Sequence, residues 1–233
     1  MDSRSVAIEA RGVSKFFGLL QVLRGVSVST AAGESILLLG SNGAGKSTLL
    51  RLLAGLSAPN KGEIIKSESA SIGFAAHYPL LYMKLSVAEN LRLFSQLAPT
   101  LDSANDRCSA LLTTWGLEKY RDKSICDLSK GNQARAALAR TFLGSPSIIL
   151  LDEPTSHLDD QGVEVLMKEL SAALARTHNK PLVLIATHDI HRVRAVANRI
   201  VILNRGQISS DSGVNAPLAR QEQLIEAYRL GNR

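Results

Sequence analysis

Rings and sulfur are scarce in this chain of 233 residues: Phe, Tyr and Trp together make up 4 %, and Trp115 is the single tryptophan. That leaves few rings for stacking on nucleic-acid bases. The two cysteines, Cys108 and Cys126, sit in no CxxC or Cys/His spacing. That excludes a zinc ribbon and a disulfide framework, and fits reduced thiols in a cytosolic setting. No apolar run approaches the roughly 20 residues of a spanning helix; "IILL" (Ile148–Leu151) is among the longest. The N-terminal "MDSRSVAIEA" has no long apolar stretch, so no signal peptide is expected. Positive charge is in excess, net +6 with pI about 9.5, yet no run of five like charges occurs. Scattered cations read as a solvated face, and no nucleic-acid partner is expected. Internal repeats and low-complexity segments are absent too.

What is present is a 45 % hydrophobic chain, long enough to bury a real core. Short apolar runs alternate with helical patterns, which predicts an α/β fold with a mostly parallel sheet. "ESILLLG" (Glu34–Gly40), "PSIILLDEP" (Pro146–Pro154) and "PLVLIATH" (Pro181–His188) read as buried strands, and "RIVILNRGQI" (Arg199–Ile208) as a closing hairpin. Leu85–Asp127 is helical in pattern and reads as an insertion between two halves of the sheet. Met1–Gly33 is expected to add a small antiparallel β region, and Asn215–Arg233 a polar helical tail.

"GSNGAGKST" (Gly40, Ser41, Asn42, Gly43, Ala44, Gly45, Lys46, Ser47, Thr48) fits G-x-x-x-x-G-K-[ST] between a strand and a helix. Its glycines let backbone N–H groups face phosphate oxygens, and the helix N-terminus adds a favourable dipole. Lys46 can reach β/γ-phosphates and the Ser47 hydroxyl can ligate Mg²⁺. "IILLDEPT" then ends an apolar strand in Asp152, placed to hold Mg²⁺ through its water shell, and Glu153, placed to orient or deprotonate water. His188 closes another apolar strand in "LIATHD" and is expected at the same carboxyl edge, where open α/β sheets bind ligands. "LSKGNQARAALAR" (Leu128–Arg140) alone reads as a plain Ser-started helix, with a glycine that asks for a reason.

With these residues in hand, the chain resembles the ATP-binding subunit of ABC transporters over nearly its whole length. The phosphate loop, "LSKGNQ", "IILLDEP", "SHLD" and "ATHD" stand in that family's order. The resemblance implies a P-loop NTPase (RecA-like) core with an antiparallel β subdomain and an inserted α-helical subdomain. Residues 1–84 and 129–214 would form the β region and core, 85–128 the helical subdomain and 215–233 the tail of a single domain. It also implies ATP and Mg²⁺ as ligands, Lys46, Glu153 and His188 as catalytic residues, and Ser47 and Asp152 at the metal. Phe17, in "KFFG", matches the aromatic that stacks on adenine; its other role is as a hydrophobic β residue. Ser129 and Gly131 match residues that approach the γ-phosphate held by a second subunit in a head-to-tail dimer, and Ser156–Asp159 a loop coupling the two sites. A separate transmembrane permease, and a location on the cytoplasmic face of the membrane, follow from the same resemblance.

Two positions depart from the family pattern. His77, in "IGFAAHYPLLY", stands where Gln is usual and is assigned to the membrane-partner interface rather than to Mg²⁺. Lys130 stands where Gly is usual, which is penalised if that backbone needs positive φ. "GFAAHYPLLY", "DDQGVEVL" and "IATHDIHRVRAVANRIVIL" look similar to the ATP-binding subunit of the cytochrome c maturation haem exporter. Drug or polysaccharide exporters remain alternatives, as does a soluble ABC ATPase acting on nucleic acid or ribosomes.

Overall fold

Three runs of branched apolar residues, each buried at every position, carry the centre of the fold: β3 (Ser35–Leu39), β6 (Ile148–Asp152) and β7 (Leu182–Ala186). Continuous burial, rather than alternation, is what a parallel strand covered on both faces requires. The computed structural model describes residues 6–97, 104–214 and 216–231. The first five residues of the expected β addition, part of the helical insertion (98–103), and positions 215, 232 and 233 of the expected tail lie outside the described residues.

In chain order the elements are β1 (Val6–Phe17), β2 (Leu20–Ala31), β3, α1 (Lys46–Leu53), β4 (Lys61–Lys66), β5 (Ile72–Ala75), α2 (Val87–Leu97), α3 (Ala104–Thr114), α4 (Lys130–Thr141), β6, α5 (Asp160–Leu174), β7, α6 (Ile190–Val193), β8 (Arg199–Asn204), β9 (Gln207–Asp211) and α7 (Leu218–Gly231). Six strands form one sheet in the order β5-β6-β7-β3-β8-β9. It is parallel except for β9, which returns antiparallel to β8. β2, β1 and β4 form a separate antiparallel sheet. The fold is the α/β P-loop arrangement the sequence implies.

Period-two geometry sends alternate side chains of the large sheet to opposite faces. Leu37 and Leu39 join Ile149, Leu151 and Ile185 in a core shared with α2, α3, α4 and α5. Ile36 and Leu38 join Leu150 and Leu184 in a second core, capped by α1 and the β1–β2 sheet. Trp115, fully buried, stacks on Phe142 with ring centroids 6.1 Å apart and fastens the end of α3 to the end of α4. α2 opens on a reciprocal cap: the Glu89 N–H donates to Ser86 Oγ (3.2 Å) and the Ser86 N–H donates to Glu89 Oε2 (2.7 Å).

Two strands were not anticipated. β4 carries Lys at both ends, and β5 is only four residues long. Neither has the length or alternation that marks a strand by pattern. The expected polar tail is also more firmly held than its composition suggests. In α7, Ile225 and Gln221 are buried, and Gln221 Nε2 donates to the Ala216 (2.8 Å) and Asn198 (3.2 Å) carbonyls.

Candidate active site

Because β3, β6 and β7 run parallel and adjacent, their carboxyl ends deliver Gly40, Asp152 and His188 to one edge. The turn after β3 needs its glycines. Gly43 and Gly45 have φ of +80° and +106°, where an L side chain is strained. A Cβ on Gly45 would also lie 2.7 Å from Leu23 Cδ2, and one on Gly40 would lie 2.5 Å from the Leu203 carbonyl oxygen. The loop is thus wedged between the start of β2 and the end of β8, and its shape is set before any ligand arrives.

Within the loop, Lys46 Nζ donates to the Gly40 (2.6 Å) and Ser41 (3.3 Å) carbonyls. Burial lowers its pKa, and the nearby charges of Glu153 and Asp152 oppose that shift. Ser47 Oγ donates to Asp152 Oδ1 at 3.0 Å. Burial raises the Asp152 pKa; the Ser47 hydrogen bond works the other way, and the Glu153 charge adds to the rise. A hydroxyl and a carboxylate side by side are hard oxygen donors, the set Mg²⁺ prefers with water completing its shell. The residues fit that ion, which when bound neutralises charge building on β- and γ-phosphate oxygens.

Glu153 has φ +50°, uncommon for a residue with a side chain. Its N–H donates to the Ala186 carbonyl at 2.7 Å, so the chain leaves β6 turned toward the end of β7. There Glu153 Oε2 accepts from Thr187 Oγ1 (2.9 Å), the His188 N–H (3.3 Å) and His188 Nδ1 (2.9 Å). A carboxylate can only accept, so the Nδ1 tautomer carries the proton in this pair. Nε2 is left to face whatever sits at the edge. Thr187, fully buried, is a residue that sequence reading missed. Its position between a strand and His188 was the only available signal.

Phe17, 56 % exposed, stands at the end of β1, with Lys15 Nζ 5.6 Å from its ring centroid. It pairs with Leu20 across the hairpin, two residues before Val22, whose carbonyl oxygen abuts Gly45. Phe17 thus belongs to the strand pair that abuts the phosphate loop through Val22. Ser129 and Gly131 are elsewhere, at the start of α4. Ser129 is its N-cap, accepting from the Asn132 N–H at 3.3 Å. Among the described residues no hydrogen bond joins either of them to Lys46, Ser47, Asp152 or Glu153.

The backbone decides the conditional question raised at Lys130. Neither Lys130 nor Gly131 has positive φ, so Lys130 carries no backbone penalty there. Its side chain lines a cavity of about 240 Å³ with His77, Glu153 and His157, and Nζ lies 3.5 Å from Gln133 Oε1. Gly131 faces the His157 carbonyl oxygen, 3.2 Å from where a Cβ would stand. Close approach of the loop after β6 thus constrains this glycine within the chain itself. Asp159, in that loop, caps α5 through the Gly162 N–H (2.9 Å) and accepts from Arg135 Nη2 (2.6 Å). His77 is exposed beside Tyr78 and His157, at ring-centroid distances of 5.2 and 5.4 Å.

Known proteins share this geometry. A family model described as "ABC transporter" matches residues 23–156. The aliphatic sulfonates import ATP-binding protein of Nocardia farcinica is 32 % identical over 224 residues, covering 95 % of this chain and 87 % of that protein. The Nod factor export ATP-binding protein I of Rhizobium johnstonii is 31 % identical over 246 residues, covering 98 % and 78 %. Among solved structures, an ATP-binding cassette captured as a dimer after hydrolysis, with ADP and Pi, superposes with a TM-score of 0.79 at 26 % identity, covering 90 % of this chain and 99 % of that one. A phosphate loop, a Ser–Asp oxygen pair and a Glu–His couple at one sheet edge, together with this match across most of the chain, make it a member of the ABC transporter ATP-binding family, an ATPase working on ATP with Mg²⁺.

Proposed function

We propose that this chain is the energising subunit of a transporter whose membrane path is built by a separate permease, and that it works as a head-to-tail dimer at the cytoplasmic face of the membrane. The supporting observation is the split arrangement of the site. Lys46, Ser47, Asp152, Glu153 and His188 converge on one edge, while Ser129 and Gly131 stand apart at the start of α4. In this reading Lys46 holds β/γ-phosphates, Ser47 and Asp152 hold Mg²⁺, Phe17 stacks on adenine and the loop Gly40–Thr48 wraps the phosphates. Glu153 orients the attacking water, and His188, fixed by Glu153, contacts the γ-phosphate. Ser129 and Gly131 of a second copy close the site, as Ser156–Asp159 link the two.

Glu153→Gln tests it. The variant should keep ATP affinity, lose about 10²- to 10⁴-fold in turnover, and double its mass on a sizing column when ATP is added. Wild-type turnover, or a monomer at saturating ATP, would count against the assignment.

For the transported solute there are two readings. Import of a small sulfonate-like anion draws on the name of the Nocardia farcinica relative. Haem export draws only on resemblance in short segments, chiefly the loop carrying His77. The Rhizobium johnstonii relative, named for export, is similar at the same level, so identity near 32 % does not separate the directions. Import is the reading we adopt, because sulfonate or sulfate import recurs in the names of the relatives. Vesicles containing the chain and its co-purified permease should accumulate a sulfonate on ATP addition; ATP turnover stimulated by haem instead would favour the exporter.

A further inference from the structure

α4 has one polar foot in each neighbouring structure. Near its start, Gln133 Nε2 donates to the Ile125 (2.9 Å) and Leu128 (3.2 Å) carbonyls. At mid-helix, Arg135 joins the Trp115 carbonyl (3.2 Å) to Asp159 (2.6 Å). At its end stands Arg140, whose guanidinium reaches the segment that carries His77. Nη1 donates to the Leu80 carbonyl at 2.8 Å and Nη2 to the Phe74 carbonyl. Those two carbonyls bracket residues 75–79. The same guanidinium lies 4.9 Å from the centroid of the Phe94 ring on α2.

The bracketed loop needs such a tie. It runs across the α4 face that carries Lys130, Gln133, Ala134, Ala137 and Leu138, but the 240 Å³ cavity lies between them. Beyond Ala75, buried at the end of β5, the segment 76–79 lines this opening and gains little from packing on that side. Its position is then set by hydrogen bonds at its ends. A planar fork can serve two carbonyls at once, which a single ammonium cannot do in one fixed geometry. Burial lowers the Arg140 pKa to about 10, and among the described residues no carboxylate offsets it. The cation is still charged at neutral pH, and it is held by carbonyl dipoles and a ring face alone. A half-buried charge without a counter-ion is costly, so this position is occupied at a cost that simple packing does not explain.

We propose that Arg140 is a positioning residue: it locks the His77 loop to α4, so that loop and the Ser129–Gly131 end of that helix, roughly 15 Å along the helix from Arg140, shift as one body when the ATP site closes. Arg140 touches none of the phosphate or metal residues, and it acts through the helix. The inference rests on the proposed role of Ser129 and Gly131 in completing the site, and Ser129→Ala controls for that reading.

The test uses the full chain with Arg140→Gln and Arg140→Lys, read by ATPase kinetics and amide hydrogen exchange. Arg140→Gln should lower kcat about tenfold with KM within about twofold, the pattern expected when closure rather than ATP binding is impaired. Exchange at Tyr82, in the same stretch between β5 and α2, whose N–H donates to Asn90 Oδ1 at 2.8 Å, should speed up about tenfold or more while β3 and β6 keep wild-type protection. Arg140→Lys, keeping charge and one bond, should fall between. Wild-type exchange at Tyr82 overturns the tie. Faster exchange spread equally over β3 and β6 overturns it as well, because Arg140 would then be a stability residue only. Fast exchange at Tyr82 with unchanged kcat in Arg140→Gln, alongside an impaired Ser129→Ala, overturns the coupling while leaving the site intact. Ser129→Ala at wild-type kcat sinks the reading of the site and the coupling with it.

Discussion

At the scale of single residues, Thr187 shows how a small buried hydroxyl supports a charged pair. Its Oγ1 donates to Glu153 Oε2 at 2.9 Å and accepts from the Asp189 N–H at 3.0 Å. Thr187→Val keeps the shape but leaves an acceptor and a donor without that partner. The variant should unfold with about 1–3 kcal/mol less stability in urea titration, and Thr187→Ser should recover most of it. A loss in Thr187→Ser with none in Thr187→Val would mean that the methyl group, not the hydroxyl, matters. Glu153 itself stays at φ +50° because its N–H bond to Ala186 and three donors to its carboxylate fix it there. Strain at such a position persists only where its surroundings over-determine it.

At the scale of elements, β3, β8 and β9 are joined near the amino end of β3 by a buried cation. Arg199 donates to Glu34 Oε2 (2.8 Å), both Asp211 oxygens (3.0 and 2.6 Å) and the Ser29 carbonyl (3.0 Å). Burial alone would raise the Asp211 pKa, but the Arg199 hydrogen bond, the Gly213 N–H and nearby cations outweigh it, so the carboxyl ends below its ordinary value. A lowered acid pKa contributes stability in full above the unfolded value, about 3.9, and loses it as pH falls through the folded one. The melting temperature of Asp211→Asn should therefore lie below wild type at pH 7, and the gap should close as the pH drops below about 4. A gap independent of pH would show that the charge is irrelevant.

The same elements show how far sequence reached. The three central strands were legible because full burial forces continuous branched apolar runs. Lys46, Ser47, Asp152 and Glu153 were legible because phosphate and metal chemistry admits few residue types at that spacing. β4 and β5 were not legible, one flanked by lysines and the other too short for a period to appear. Arg135 and Arg140 read as solvated cations on a plain helix, yet both spend their donors on carbonyl and carboxylate oxygens of other elements. Hydrogen bonds to backbone leave no mark in composition. The positive-φ question at Lys130 likewise needed coordinates, since a family pattern of glycine does not say whether torsion or proximity demands it.

At the scale of the whole molecule, no described helix is long and apolar enough to cross a membrane; in the function proposed above, work done here passes to a permease through surfaces. The large sheet divides the interior behind those surfaces. Leu37 and Leu38 are joined by a peptide bond, yet one belongs to the core under α2–α5 and the other to the core under α1 and the β1–β2 sheet. Their side chains share no core. Losses from Leu37→Ala and Leu38→Ala should add within about 0.5 kcal/mol in the double variant. Leu37→Ala with Ile185→Ala, nearly 150 positions apart but paired across the sheet on one face, should depart from additivity by more than that. The sheet would then act as an insulator, letting the helical side repack during a catalytic cycle while the phosphate-loop side keeps its shape.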